Sequence, residues 1–213
     1  MNFLAHCALA ADAADQWECS PQQKKGLLAG AVIGDFVKGS IPEDWPIPLQ
    51  AGARLHRRVD ALSNTLPGIR TSCDRYPAHL RRFAPIFVDM LADHSLANQW
   101  PDYYNEDIDN FARECYQAIA TFEDYLSQPG KRFFAYMQES NLLANYHQWH
   151  HIRRGLASVL RRLQREEMLA EVERASAEVA PLTQGDFAGF YPELRAAWQE
   201  WDAFAAINAE PRS

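Results

Sequence analysis

The stretch SPQQKKGLLAGAVIGDFV, residues 20–37, carries clear signals for where a helix begins. Ser20 suits the N-cap and Pro21 the first helical position, where a missing backbone N–H costs no intrahelical hydrogen bond. We expect this helix to stop near Gly39 and to carry Asp35 in its last turn. The stretch therefore predicts an α-helix with a carboxylate at its end.

Helical spacing of apolar residues recurs along most of the chain, whereas alternating strand patterns bounded by turn dipeptides are hard to find. Residues 40–48 contain three prolines and are predicted to form a loop, while a QPG turn is predicted at 128–130. The pattern predicts an all-α protein. After a first short helix and the helix that follows Ser20, the remaining helices are expected at about 49–64, 78–100, 106–127, 143–170 and 185–207.

The last predicted helix has a strong apolar row, which we interpret as packing in the core or in a lid. Its members are Phe187, Phe190, Leu194, Trp198 and Trp201.

Length and composition favour one globular domain spanning residues 1–213. Hydrophobic residues make up 47% of the chain and charged residues 23%, which is enough apolar surface for a substantial core. The net charge of −7 opposes binding to nucleic acid and to anionic membranes. Basic clusters at 56–58, 81–82, 151–154 and 161–162 are each interpreted, taken alone, as solvated helix faces.

Cysteine spacing and hydropathy indicate a cytoplasmic protein. Cysteines at 7, 19, 73 and 115 have neither the CxxC spacing of a zinc or redox site nor the density of a disulfide scaffold. The beginning of the chain lacks the pattern of an export signal, and no apolar stretch is as long as a membrane span. The sequence does not specify an oligomeric state.

Histidines and aspartates occur at positions where helices are expected to face the core. His56 and Asp60 are four residues apart, as are Asp89 and Asp93, and His94 continues an apolar row. Buried groups of this kind need partners, and imidazole with carboxylate suits Mn²⁺, Mg²⁺ or Fe²⁺ better than structural zinc. A buried network without metal is the alternative, with Asp60 or Asp93 paired to Arg57 or Arg58 and a histidine bonded to a backbone carbonyl.

Several motifs, in order and spacing, resemble the acyl carrier protein phosphodiesterase family. They are MNFLAH at 1–6, GDFVKG at 34–39, HRRVD at 56–60 followed by LP at 66–67, DMLADHSLANQW at 89–100 and, more weakly, FYPEL at 190–194. The resemblance implies an all-α bundle, distantly similar to the HD-domain metal-dependent phosphohydrolases. It also implies hydrolysis of the phosphodiester that joins 4′-phosphopantetheine to holo-acyl carrier protein (holo-ACP).

Carried over by position, the resemblance implies a metal site and its chemistry. The implied metal residues are His6, Asp35, His56, Asp93 and His94, with Asp60 and Asp89 as further candidates. Asp35, His56, Arg57 and Arg58 are the implied catalytic residues, with the two arginines neutralising phosphate. The expected metal is Mn²⁺, with Mg²⁺ or Fe²⁺ as alternatives.

The chain departs from the family pattern at two places. Ala8 stands where members often have a second histidine, and Ser63-Asn64 stand where they tend to have Thr-Asp. These changes bear on the number and identity of the metal ions. Two other functions remain open at this point: an HD-type phosphohydrolase of a nucleotide or alarmone, and a non-catalytic helical binding module.

The expected partner is holo-ACP, and carrier proteins of this kind are acidic. A chain of net charge −7 can attract an acidic protein only through localised positive surface. Arg154 and Arg161 are seven residues apart and so share a helix face, and Arg153-Arg154 or Arg81-Arg82 are the clusters expected to bind the carrier.

Overall fold

The computed structural model describes residues 1–197 and 201–205, and the all-α prediction is confirmed. The described residues form helices joined by turns and loops, the longest at 37–46 and 75–83, and contain no strand. The helices are α1 (Phe3–Gln16), α2 (Pro21–Ile33), α3 (Ile47–Ser63), α4 (Pro67–Asp74), α5 (Ala84–Asn98), α6 (Trp100–Tyr103), α7 (Ile108–Thr121), α8 (Gln128–Glu139), α9 (Leu142–Asn145), α10 (Trp149–Arg162) and α11 (Leu169–Ala196). Similarity to the HD architecture remains a prediction, as does the single domain spanning 1–213.

Helix α1 lies in the middle of the core. Ten of its fourteen residues are buried, because small alanines let the neighbouring helices approach it from several sides. His6 is among the buried residues, with 2% of its surface exposed. The fold therefore places an imidazole in the interior, one turn from the beginning of a central helix.

Helices α2 and α3 pack with their backbones in close contact. A Cβ atom at Gly30 would lie 2.5 Å from the Leu49 carbonyl oxygen, and one at Gly52 would lie 2.5 Å from the Leu27 carbonyl oxygen. Only glycine fits such spacing without displacing backbone. This close crossing positions the following two turns of α3, which carry His56 and Asp60.

The predicted capping of α2 is confirmed. Ser20 accepts a hydrogen bond from the Gln23 backbone N–H, and the Gln23 side chain accepts one from the Ser20 backbone N–H, which is a capping box. The α-helix ends at Ile33, earlier than predicted, and Asp35 lies in the 3₁₀ turn Gly34–Phe36 that follows.

Several predicted boundaries were wrong, and proline explains three of them. The helix expected from residue 78 begins at Ala84, where Pro85 takes a position in the first turn, which proline favours. The helix α4, absent from the prediction, begins at Pro67. The QPG segment expected to be a turn is the first turn of α8, where Ser127 is the N-cap and accepts from the Gly130 N–H.

The C-terminal helices also differ from the prediction. The segment expected to be one helix at 143–170 is divided into α9 and α10, and α11 runs from Leu169 through Pro181 instead of beginning at residue 185. In the predicted apolar row, Phe187, Phe190 and Leu194 are buried as expected. Trp201 is partly buried beyond the helix, and Trp198 lies outside the described residues.

No helix in the described part of the chain combines the length and apolar character needed to cross a membrane.

Candidate active site

Three side chains from two helices form a cluster that offers metal ligands. His6 of α1 and His56 of α3 stack with their ring centroids 4.0 Å apart. Asp60 lies beside both: its Oδ1 is 3.1 Å from His6 Nε2 and its Oδ2 is 3.4 Å from His56 Nε2. One potential ligand atom from each residue lies within 4.8 Å of the others. We call His6, His56 and Asp60 the triad.

A backbone contact sets the tautomer of His56. Its Nδ1 lies 2.9 Å from the Ala31 carbonyl oxygen, which can only accept, so Nδ1 carries the proton. In the neutral ring Nε2 then presents a lone pair to an Asp60 oxygen. Two acceptors this close are stabilised by a nearby cation: the Met1 amino group lies 3.9 Å from Asp60 Oδ1, and a metal ion between the two acceptors would serve in the same way. Histidines that bind a metal through one ring nitrogen usually donate a hydrogen bond from the other ring nitrogen to a carbonyl or carboxylate oxygen, as His56 does here.

Burial and neighbouring groups set the charges in the triad. Burial and the nearby His56 lower the pKa of His6 to about 3, so this ring is neutral at pH 7. Burial alone would raise the pKa of Asp60, but the hydrogen bond from His6 and the charge of the nearby Met1 amino group help to outweigh it, and the pKa is lowered to about 2. A neutral imidazole beside an ionised carboxylate is the protonation state that metal binding requires.

The donor atoms fit a divalent ion of borderline to hard character. Two imidazoles and one carboxylate are ligand types that Mn²⁺ and Fe²⁺ accept. His6 Nδ1 is buried without a hydrogen-bond partner in the described protein, which leaves this ring with unused binding capacity. The Asp60 side chain is 46% exposed, so the cluster opens to solvent and to a substrate.

The triad lies on the wall of a cavity of ≈ 850 Å³ between α1, α3, α5, α8 and α10. Phe3, Phe36 and Phe133 form an aromatic part of the wall, with Phe3 and Phe133 ring centroids 4.8 Å apart. Another part is basic and comes from α8 and α10. Its members are Arg132, Arg154, Arg161 and Arg162.

Two of the remaining predicted site residues line the same cavity outside the triad. Asp35 is exposed on its wall. Asp89 also faces it and accepts a 2.7 Å hydrogen bond from the Met1 amino group. The structure therefore brings both carboxylates to the cavity but does not include them in the cluster of close ligand atoms.

Asp93 and His94, predicted as metal residues, have other partners. Asp93 is fully buried and accepts hydrogen bonds from the backbone N–H groups of Asn2, Leu4 and Ala5, at 2.7–3.2 Å. Burial raises its pKa to about 7 despite these donors, which favour the carboxylate. His94 donates through Nδ1 to the Tyr146 carbonyl oxygen, packs against Trp149 and does not line the cavity.

The arginines predicted to neutralise phosphate also lie elsewhere. Arg57 Nη2 donates to the Gly39 carbonyl oxygen at 2.6 Å, which ties α3 to the loop after Asp35. The Arg58 guanidinium lies over the Trp201 ring, 5.6 Å from its centroid. Neither arginine lines the cavity, and neither pairs with Asp60 or Asp93. Of the alternative network without metal, the structure has the histidine–carbonyl bonds but not these ion pairs.

The two departures from the family pattern fall in different surroundings. Ala8 is fully buried in the core and does not line the cavity. Ser63 and Asn64 do line it, and both donate side-chain hydrogen bonds to the Asp60 carbonyl oxygen, at 3.0 and 2.9 Å. These two residues thus support the turn of α3 that carries the triad carboxylate.

The contribution of α8 and α10 to the cavity was not predicted. Arg132, Phe133 and Tyr136 lie on α8, whose beginning had been interpreted as a turn. His151 and Arg154 lie in the HIRR cluster at 151–154, whose arginines were predicted from the sequence to bind the carrier protein and not to line the cavity. A basic cluster in an acidic chain was the sequence signal from which this wall of the cavity could have been predicted.

The fold and cavity define an all-α protein with a histidine–carboxylate site, and comparison with known sequences gives its family. The profile of the acyl carrier protein phosphodiesterase family matches residues 1–194. The chain therefore belongs to the acyl carrier protein phosphodiesterase family, as its motifs predicted.

Individual relatives agree with this family. The chain is 35% identical over 118 residues to proteins named acyl carrier protein phosphodiesterase from Escherichia coli strains, among them K12 / DH10B, O9:H4 HS and O157:H7 EC4115. The match covers 54% of this chain and 55% of each relative, so it spans about half the length of these curated proteins. No solved structure matches the chain.

Proposed function

We propose that this protein is a metal-dependent phosphodiesterase that removes 4′-phosphopantetheine from holo-ACP and releases apo-ACP. The observation that carries the proposal is the triad, in which His56 Nε2 and Asp60 Oδ2 face each other at 3.4 Å on the cavity wall. Family membership supports the reaction class, and the printed name of the relatives supports the substrate.

The triad would hold the ion, and we expect Mn²⁺, with Mg²⁺ or Fe²⁺ as alternatives. When bound, a divalent ion lowers the pKa of water and neutralises phosphoryl oxygens, so that hydroxide forms near neutral pH. Asp60 is already ionised and His6 already uncharged, as such an ion needs, and His6 Nε2 would bind it in the tautomer that carries the proton on Nδ1. Asp35 and Asp89, on the same wall, are available to accept hydrogen bonds from the attacking water.

The reaction breaks one P–O bond and forms another. A water oxygen attaches to phosphorus, the bond to the serine oxygen of the carrier breaks, and that oxygen takes up a proton to become the serine hydroxyl. The cavity is large enough for more than a phosphate group, and its aromatic part suits the uncharged portion of the pantetheine arm.

The test is to incubate the purified protein with holo-ACP and Mn²⁺ and then to measure the mass of the carrier protein by mass spectrometry. The proposal expects conversion to the apo mass, loss of conversion in Asp60→Asn, and retention in His94→Gln, since His94 lies outside the cavity. An unchanged carrier mass with metal-loaded protein contradicts the proposal. Hydrolysis of a nucleotide under the same conditions would then favour an HD-type phosphohydrolase, and a melting temperature insensitive to Mn²⁺ and EDTA would favour a binding module.

A further inference from the structure

The cavity needs a cation for phosphate other than the arginines predicted from the sequence. A phosphodiester carries a negative charge, and arginine binds phosphate oxygens through its planar set of donors. Arg57 and Arg58 do not line the cavity, so their guanidinium groups are not placed to meet a phosphate bound there. The phosphate-binding arginine must therefore come from the basic part of the wall.

The four arginines of that wall differ in their partners. Arg161 Nε donates to Glu166 at 3.1 Å, so part of its charge is neutralised. Within residues 1–197 and 201–205, no carboxylate pairs with Arg132, Arg154 or Arg162. An arginine without an acidic partner retains its full charge for a ligand.

Arg154 is the one of these three that is held in place. Its guanidinium lies over the Tyr136 ring, 4.2 Å from the centroid. The Tyr136 hydroxyl lies 3.3 Å from His151 Nδ1, so the ring under Arg154 is itself anchored. A cation–π contact leaves the guanidinium N–H groups free to donate, and it limits the side-chain freedom that binding would otherwise have to remove.

Close packing also fixes the helix that carries Arg154. A Cβ atom at the next residue, Gly155, would lie 2.8 Å from the sulfur of Met90 on α5. The neighbouring Asp89 of α5 faces the cavity, as does Arg154. Helix α10 is therefore held against a helix that contributes to the site, rather than standing away from it.

We propose that Arg154 binds the phosphoryl group in the cavity and that Tyr136 is its positioning residue. This inference rests on the proposed phosphodiesterase function. Arg153 provides a matched control, because its Nε donates to Glu173 of α11 at 3.0 Å and it does not line the cavity.

The first experiment measures the affinity of the metal-free protein for inorganic phosphate by ³¹P NMR titration. Arg154→Gln is expected to weaken phosphate binding by about tenfold or more, the usual effect of losing a charge-assisted hydrogen bond. Arg153→Gln is expected to bind as the wild type does. Equal binding by the wild type and Arg154→Gln, or an equal loss in Arg153→Gln, overturns the proposal.

The second measurement is hydrolysis of bis(4-nitrophenyl) phosphate with Mn²⁺, which separates KM from kcat. Tyr136→Leu is expected to raise KM, while Tyr136→Phe, which keeps the ring under the guanidinium, should restore most of the affinity. In the Arg154→Gln background Tyr136→Leu should add little, because the group it positions is gone. Equal effects of Tyr136→Leu with and without Arg154 contradict the positioning role.

The two proposals can fail separately. If holo-ACP is not hydrolysed but phosphate binding depends on Arg154, the phosphate assignment stands and the proposed function fails. If Arg154→Gln impairs only holo-ACP turnover and leaves phosphate binding and the small diester unchanged, Arg154 contacts the carrier surface and the phosphate assignment is overturned.

Discussion

At the scale of single residues, His56 shows how one backbone contact fixes the tautomer of a side chain in the proposed metal site. The Ala31 carbonyl oxygen accepts a hydrogen bond from Nδ1–H, and in the neutral ring the Nε2 lone pair points at Asp60. His94 has the same kind of contact, with the Tyr146 carbonyl oxygen, but no carboxylate of the site lies beside it. The difference between the two histidines is their surroundings rather than their tautomer.

This comparison leads to a prediction for metal binding. His56→Ala should lower Mn²⁺ affinity about 100-fold or more, because a ligand is lost from the triad. Since an ion that binds only the folded state raises its stability, the melting temperature of the wild type should rise with Mn²⁺ and that of His56→Ala should not. His94→Ala is the control and should keep the Mn²⁺-dependent rise; loss of the rise in both variants would show that the triad is not the binding site.

Asp35 offers a second prediction at this scale. Its carboxylate is exposed on the cavity wall, in a short 3₁₀ turn, so removing it costs the fold little. Asp35→Ala should abolish hydrolysis of holo-ACP while the melting temperature stays within about 2 °C of the wild type. Near-wild-type turnover at saturating Mn²⁺ would exclude Asp35 from the site.

At the scale of helices, Asp93 links α5 to the beginning of α1. The N-cap residue Asn2 makes no side-chain capping bond, and the carboxylate of Asp93 replaces it from another helix. In its ionised form, which its pKa of about 7 allows above neutral pH, Asp93 also interacts favourably with the helix dipole. Asp93 thus holds in place the turn of α1 that carries His6.

Removing this cap should destabilise the fold. Asp93→Ala leaves three backbone N–H groups without their acceptor, and we expect a loss of about 2–4 kcal/mol in the free energy of unfolding, measured with urea. Asp93→Asn keeps an acceptor oxygen and should lose less. If Asp93→Ala leaves the free energy of unfolding unchanged but loses Mn²⁺ affinity, Asp93 acts as a metal ligand and not as a helix cap.

At the scale of the whole molecule, the chain is acidic overall but has a locally basic surface at the cavity. The chain has 28 acidic and 21 basic residues, yet arginines of α8 and α10 gather at the cavity. The proposed partner is acidic, so attraction has to come from this local surface and overcome the repulsion of the rest.

Salt should therefore weaken capture of the carrier. We expect kcat/KM for holo-ACP to fall as ionic strength rises from 0.01 to 0.5 M, because the Debye length shortens from about 30 Å to a few ångströms. The value for a small phosphodiester should change much less. An equal response of both substrates, or a flat response for holo-ACP, would leave the basic surface without a role in capture.

Local patterns in the sequence were enough to predict some of these features. Helical spacing predicted the all-α fold, the Ser20–Gln23 capping box required only neighbours along the chain, and His56 and Asp60 share a face because they are four residues apart. The motifs also identified the family.

Only the tertiary structure decided which polar residues meet. His6 reaches Asp60 across 54 positions, and Asp93 reaches Leu4 across 89, so neither contact follows from spacing. Asp93 and His94 had the right chemistry for a metal, but helix packing gave them backbone partners. Secondary structure depends on interactions within a few residues, whereas a site depends on how helices pack against one another, and that packing is a property of the whole core.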